Sequence, residues 1–369
     1  MPAIKVRTDM MDSKPYAPGL TIEEIKEKYD LDTVIKLASN ENPLGASPMA
    51  QKAINRHAPS VFRYPHNGNP RLNKAIAQRT GVSEEQIISG NGSDEILDLL
   101  VRIKANPGQD EVLTYESCFS MYRLMSRLCA VNFRQIPRAE GHKQPLKALA
   151  AAVSEKTAIV FMTSPDNPTG LAVTVDEVRE LASAIPEQTL LVIDEAYIEF
   201  ARPAEKYDMR GLLNEFPNMV LTRTFSKAYG LAGLRIGYGI MSPQLAEYIN
   251  SARAPFTVNL LAEEAGIAVL KDEAFFNTTM DVVLRGRELY TKEIRAMGCE
   301  VLESQSNFIM FKPYPGNPAK DAMEVFEALL KRGIIVRPLK SFGLGEYIRV
   351  NMGTDSENKT FLKALKEVL

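Results

Sequence analysis

The segment Met219-Val220-Leu221-Thr222-Arg223-Thr224-Phe225-Ser226-Lys227-Ala228-Tyr229-Gly230-Leu231-Ala232-Gly233-Leu234-Arg235 decides how the chain folds. A short apolar run, the mark of a buried strand, gives way to a polar turn rich in small residues. The same succession recurs upstream. Gln86-Ile87-Ile88-Ser89 runs into Gly90-Asn91-Gly92-Ser93-Asp94-Glu95. Ala158-Ile159-Val160-Phe161-Met162 leads to Ser164-Pro165-Asp166-Asn167-Pro168-Thr169-Gly170, and Leu190-Leu191-Val192-Ile193 to Asp194-Glu195-Ala196-Tyr197. One more apolar run, Glu111-Val112-Leu113-Thr114, lies between, and amphipathic stretches separate them all. Alternation of this kind predicts an α/β fold with a mostly parallel central sheet and helices on both faces. In such sheets ligands sit at the carboxyl ends of the strands, where each of these polar segments falls.

A chain of 369 residues is long enough for two domains. Residues 1–35, with Pro15, Pro18 and Gly19, read as an arm carrying a short helix over 22–29. Residues 36–260 read as the large domain, and Ala254-Pro255-Phe256 ends the helix that leads out of it. Residues 261–369 read as a smaller α+β domain, completed by the arm. It has one or two long helices over 262–297, strands at Asn307-Phe308-Ile309-Met310-Phe311 and Tyr347-Ile348-Arg349-Val350, and a helix over 319–332 between them.

Composition excludes several classes of function. A net charge of -2 gives no electrostatic case for nucleic acid or an anionic membrane. The apolar runs are too short to span a bilayer, and the charged N-terminus has no apolar core of a secretory signal. Three cysteines without paired spacing suit reduced thiols in a cytoplasm. His57, His66 and His142 are scattered, so neither a metal site nor a Ser-His or Cys-His hydrolase is expected.

The polar segments carry chemistry. A lysine such as Lys227 can condense with an aldehyde cofactor, and Thr224, Ser226 and Arg235 beside it can hold that cofactor's phosphate. A Gly-rich turn with a solvated lysine is the plainer reading. The segment from Gly90 to Glu95 offers a helix N-terminus to a phosphate, or is simply a helix start capped by Ser93; a dinucleotide fingerprint fails because Glu95 occupies its third glycine position. Prolines and a glycine fix the loop that presents Asn167 as a hydrogen-bond donor. Asp194, ending a buried-looking strand, needs a cationic or donor partner. A protonated pyridine nitrogen serves, with Tyr197 reaching a phenolic oxygen on the same ring; a helix cap is the alternative. Arg337 and Arg349 among apolar neighbours mark an anion site or an internal salt bridge.

Taken in order, these segments resemble the pyridoxal-phosphate aminotransferases of the aspartate aminotransferase fold type, over essentially the whole chain. Within them the similarity is greatest to the histidinol-phosphate aminotransferases. It is carried by Tyr16-Ala17-Pro18-Gly19, Ser39-Asn40-Glu41-Asn42-Pro43-Leu44-Gly45, Arg63-Tyr64-Pro65, residues 90–95 and 226–238, and Pro255-Phe256-Thr257-Val258-Asn259. The resemblance implies that Lys227 carries pyridoxal 5'-phosphate, Asp194 pairs with its ring nitrogen, and Asn167 and Tyr197 bond its phenolic oxygen. It places Gly92, Ser93, Asp94, Thr224, Ser226 and Arg235 around the phosphate and Phe119 on the ring face. Tyr16, Asn42, Arg337 and Arg349 bind substrate. Tyr64 reaches the cofactor of a neighbouring subunit, so a homodimer with shared sites is expected. The implied reaction passes the amino group of L-histidinol phosphate to 2-oxoglutarate, giving imidazole acetol phosphate and glutamate for histidine biosynthesis. Two siblings with the same cofactor residues stay open: aromatic amino acid aminotransferases and threonine-phosphate decarboxylases. Asp166 departs from the pattern, since many relatives have asparagine there.

Overall fold

The strand Thr157–Thr163 is buried at every residue, as a strand covered on both faces must be. It lies inside a seven-stranded sheet. From one edge to the other the strands are Ile87–Asn91, Ile236–Ile240, Met219–Thr224, Leu190–Asp194, Thr157–Thr163, Glu111–Tyr115 and Asn132–Ile136. All neighbours are parallel except Ile236–Ile240, which is antiparallel to both strands beside it. The computed structural model describes residues 4, 6–11, 19–316 and 321–369. Among them no helix is long and apolar enough to cross a membrane.

The five expected runs are all strands of this sheet. The two strands missing from the sequence reading have physical reasons for their silence. Asn132–Ile136 is a half-buried edge strand with Arg134 and Gln135 inside it, so no apolar run exists. Ile236–Ile240 carries Gly237 and Gly239, which thin its apolar signal. Gly237 is needed there: a Cβ at this position would stand 2.2 Å from the Ser93 backbone nitrogen. The glycine therefore lets the turn after Ile87–Asn91 lie against the neighbouring strand.

The smaller unit is built on a four-stranded antiparallel sheet in the order Arg337–Pro338, Ile348–Asn351, Phe308–Lys312, Glu300–Val301. The helix Ala322–Leu330 connects its strands, and Asp355–Val368, started by a Thr354/Glu357 capping box, covers it. The arm's helix Ile22–Tyr29 falls where expected. The strand Ile35–Lys36 then pairs in parallel with Ile334–Ile335, and Ile25, Val34 and Ala38 pack with Leu330 and Ile335. The arm thus joins the smaller unit.

The boundary expected at residue 260 does not coincide with a change of core. The helix Leu260–Val269 and the first half of Glu273–Ala296, through Val283, pack in the large cluster. Tyr290 and Ile294, further along the same helix, pack in the smaller one. The apolar core changes inside a single helix because that helix is long enough, at 24 residues, to lie across both units.

Candidate active site

A cavity of about 500 Å³ opens between the carboxyl ends of the central strands and the four-stranded sheet. Register explains its floor. Thr163 pairs with Asp194 and Asp194 with Thr222, so three polar side chains stand in one row at the strand ends. Tyr122 donates to Asp194 at 3.2 Å and lies 2.9 Å from the Thr163 hydroxyl, while Thr222 approaches Asp194 at 3.4 Å. No cationic side chain pairs with Asp194 among the described residues. Burial, with a smaller contribution from Asp94, pushes its carboxyl up to about 7.

Lys227 lies on the turn after Met219–Thr224, and its Nζ donates to the Ser39 carbonyl at 3.0 Å. Removal from water, reinforced by the positive charge of Arg349, brings its amine down to about 8. The hydroxyls of Thr224 and Ser226 meet at 3.0 Å, and the Ser226 backbone N–H donates to Thr224 Oγ1 at 3.1 Å. Arg235 reaches Asp94 at 3.2 Å, and burial raises the Asp94 carboxyl above its ordinary value. The helix Ser93–Lys104 aims its N-terminus at this group. Ser93 is its first residue and does not cap it: Gly92 holds the cap position at φ 77°. A Cβ at Gly92 would stand 2.6 Å from Arg235 Nη2. A glycine there leaves room for the guanidinium, and the free N–H groups, two hydroxyls and arginine make a cradle for a phosphate.

Asn167 and Tyr197 face the cavity from the next two strand ends. Arg349 donates to Asn167 Oδ1, and Asn40 Nδ2 donates to the Tyr197 hydroxyl at 3.0 Å. The Asn167 loop is held from beneath by Asp166, which is fully buried. Its carboxylate accepts from Arg138 at 2.8 Å, Tyr115 at 2.9 Å and Thr169 at 2.7 Å. The departure at Asp166 is therefore structural, a buried ion pair that fixes the loop with Asn167 lining the cavity. Phe119 lines the same cavity, edge-on to Tyr122.

The opposite wall belongs to the smaller unit. Arg337 and Arg349 are direct partners across an antiparallel pair, and both line the cavity. Like charges placed so are destabilising. Arg349 donates to the Ala38 carbonyl at 2.8 Å and lies over the Phe308 ring. Arg337 has no carboxylate partner among the described residues, so an internal salt bridge does not account for it. The arrangement suits an anionic ligand.

Two expected residues, Asn42 and Tyr64, lie elsewhere. Asn42 does not line the cavity. Its amide donates to the Ala228 carbonyl at 3.0 Å and to Thr279 at 3.3 Å, and its oxygen accepts from the Leu44 N–H at 2.9 Å. These hydrogen bonds steady the turn next to Lys227. Tyr64 is 83% exposed, stacked on Phe256 outside the cavity. Tyr16 is outside the described residues. The sequence reading assigned no role to Tyr122, Ser39 or Asn40. Asn40 had a signal, because it lies in a quoted segment; Tyr122 had none, because only the fold of Met121–Leu128 brings it under Asp194.

A lysine with a lowered pKa, a buried carboxylate, a group of donors suited to a phosphate and an arginine wall meet in this one cavity. The chain belongs to the class I and II aminotransferases, whose family model matches residues 32–365. The histidinol-phosphate aminotransferase of Nitratidesulfovibrio vulgaris (strain DP4) is 48% identical over 99% of this chain and 96% of its own. That of Oleidesulfovibrio alaskensis is 48% identical over 99% of this chain and 95% of its own. The crystal structure of histidinol-phosphate aminotransferase from Sinorhizobium meliloti in complex with pyridoxal-5'-phosphate superposes with a TM-score of 0.89 at 29% identity, covering 100% of this chain and 98% of that one.

Proposed function

We propose that this aminotransferase uses pyridoxal 5'-phosphate to move the amino group of L-histidinol phosphate to 2-oxoglutarate, as a cytoplasmic homodimer. The observation that carries the reading is Asp194, a buried carboxylate without a cation, set in one cavity with Lys227. A protonated pyridine nitrogen is the missing cation. The cradle of Gly92, Ser93, Thr224, Ser226 and Arg235 fits the cofactor's phosphate, and Phe119 fits its ring face. The relatives' names supply the substrate.

When bound, the cofactor supplies an aldehyde for amine exchange and a ring that accepts electrons. The chain's own residues do the rest. Lys227 holds the cofactor and moves the proton at the substrate's Cα; an amine near 8 is well placed for both. Asp194 keeps the ring nitrogen protonated. Asn167 and Tyr197 hydrogen-bond the phenolic oxygen. Arg337 and Arg349 take the anionic end of each substrate, a phosphate ester in one half-reaction and a dicarboxylate in the other.

The dimer is supported by an exposed apolar patch of Val61, Phe62, Tyr64 and Phe256, from which Tyr64 would reach the partner's cofactor. The free cysteines suit a reducing compartment. The test is to mix cofactor-loaded protein with histidinol phosphate, without 2-oxoglutarate, and follow the visible absorption band. Conversion reversed by 2-oxoglutarate supports the reading. An unchanged band, or faster conversion by phenylalanine, overturns the substrate assignment. Light scattering of the same sample checks the dimer.

A further inference from the structure

The chain carries a formal net charge of -2, yet its cavity is strongly positive. Among the described residues, six cationic side chains line it, Arg123, Arg127, Lys227, Arg235, Arg337 and Arg349, against the two carboxylates Asp94 and Asp194. Four of the six are accounted for by the cofactor and substrate reading above. Arg123 and Arg127 are not. They lie four residues apart on the helix Met121–Leu128, on the wall contributed by the large unit, facing the wall that holds Arg337 and Arg349.

Arginines four apart share one helix face and repel each other. Neither Arg123 nor Arg127 has a carboxylate within ion-pair distance among the described residues. Arg123 donates to Gln135 and lies over the Phe133 ring, which fixes its guanidinium at the rim without neutralising it. The side chain of Arg127, half-buried beside the cavity, has no hydrogen-bond partner among the described residues. A position near the helix C-terminus lowers the cost of Arg127, but does not explain why both charges border the cavity. A low-dielectric cleft lined by one sign of charge focuses its field and raises the arrival rate of oppositely charged ligands.

We propose that Arg123 and Arg127 form an outer anion-capturing pair that speeds the entry of substrates bearing a phosphate dianion and delivers them to the inner arginines. The inference rests on the substrate reading above and deepens it. An aromatic amino acid carries no such charge on its side chain, so the pair favours a phosphate ester over an aromatic sibling by rate of entry.

The experiment uses the cofactor-loaded enzyme and the double variant Arg123→Gln/Arg127→Gln. The second-order rate constant for conversion of the visible band by histidinol phosphate is measured from low to high sodium chloride. For the parent enzyme it falls steeply with salt. For the variant it is about tenfold lower at low salt, with a flatter salt dependence, and the two converge at high salt. An unchanged visible band and circular dichroism spectrum show that the variant folds and holds cofactor. A variant that keeps the parent's salt slope overturns the inference and leaves the substrate reading standing. So does a variant slowed equally at all salt concentrations, since that is a loss of packing and not of steering. A parent enzyme that does not react with histidinol phosphate overturns both.

Discussion

The floor and the far wall of the cavity are made of different chemistry. The floor has groups whose protonation the fold has adjusted: Asp194 raised to about 7 and Lys227 lowered to about 8. The wall has Arg337 and Arg349, two guanidinium groups set against each other across one strand pair. The floor stands on parallel strand ends, where register sets each side chain against the next. The wall stands on an antiparallel pair, where register sets two like charges face to face. Groups that titrate near neutrality can hold and release protons, while a guanidinium fork binds and orients anions. On the proposed reading, the difference gives the proton chemistry to the large unit and substrate recognition to the small one.

The largest expected effect breaks the floor. Lys227→Ala should lower turnover by at least about 10⁴-fold, measured as single-turnover conversion, with the circular dichroism spectrum unchanged. The same lysine gives a pH test. Because its amine is held near 8, the rate of pyridoxal phosphate capture by apo-protein should rise with pH and level off above about 8. A rate still climbing at pH 10 would contradict the lowered amine.

Asp194→Asn comes next, with a loss of kcat of about 10²- to 10³-fold. It has an opposite effect on the cofactor-free protein. The folded carboxyl titrates at about 7 against an ordinary 3.8, so the unfolded chain releases this proton first. Stability from this group is present at low pH and lost as pH rises from about 4 to 7. The asparagine variant lacks that loss, and should melt higher than the parent at pH 8 but not at pH 4.

On the wall, Arg349→Ala should lower kcat/KM by about 10²-fold in both half-reactions, because Arg349 also holds Asn167 and the Ala38 carbonyl. Arg337→Ala, which frees no other group, should cost about tenfold and act mainly on KM. If Arg337→Ala changes kcat and leaves KM alone, the division between floor and wall fails.

The floor was also the more legible region. Each of its residues follows an apolar run, and a run that ends at the surface of a parallel sheet places the next polar residue at the ligand. Lys227, Asp194, Asn167, Thr224, Ser226 and Arg235 all line the cavity. The wall was legible only as arginines among apolar residues; their direct opposition depends on the pairing of strands that are distant in sequence. Tyr122 was illegible because a helix face turns it inward. Asn42 lies in a segment quoted by the resemblance, but its side chain is bonded to two backbone groups and to Thr279, off the cavity. The position of Gly237 shows the same limit from the side of the fold. What the residue does depends on how close a turn from elsewhere in the chain comes to it.

The pairing of Ile35–Lys36 with Ile334–Ile335 has a consequence for synthesis. The strand leaves the ribosome early, and its partner follows about 300 residues later, roughly 15–60 s at ordinary elongation rates. During that interval all seven strands of the large sheet are made, and the arm's helix and strand have nothing to pack on. The segment from Ile22 to Lys36 is therefore made before the large sheet and finds its place after it.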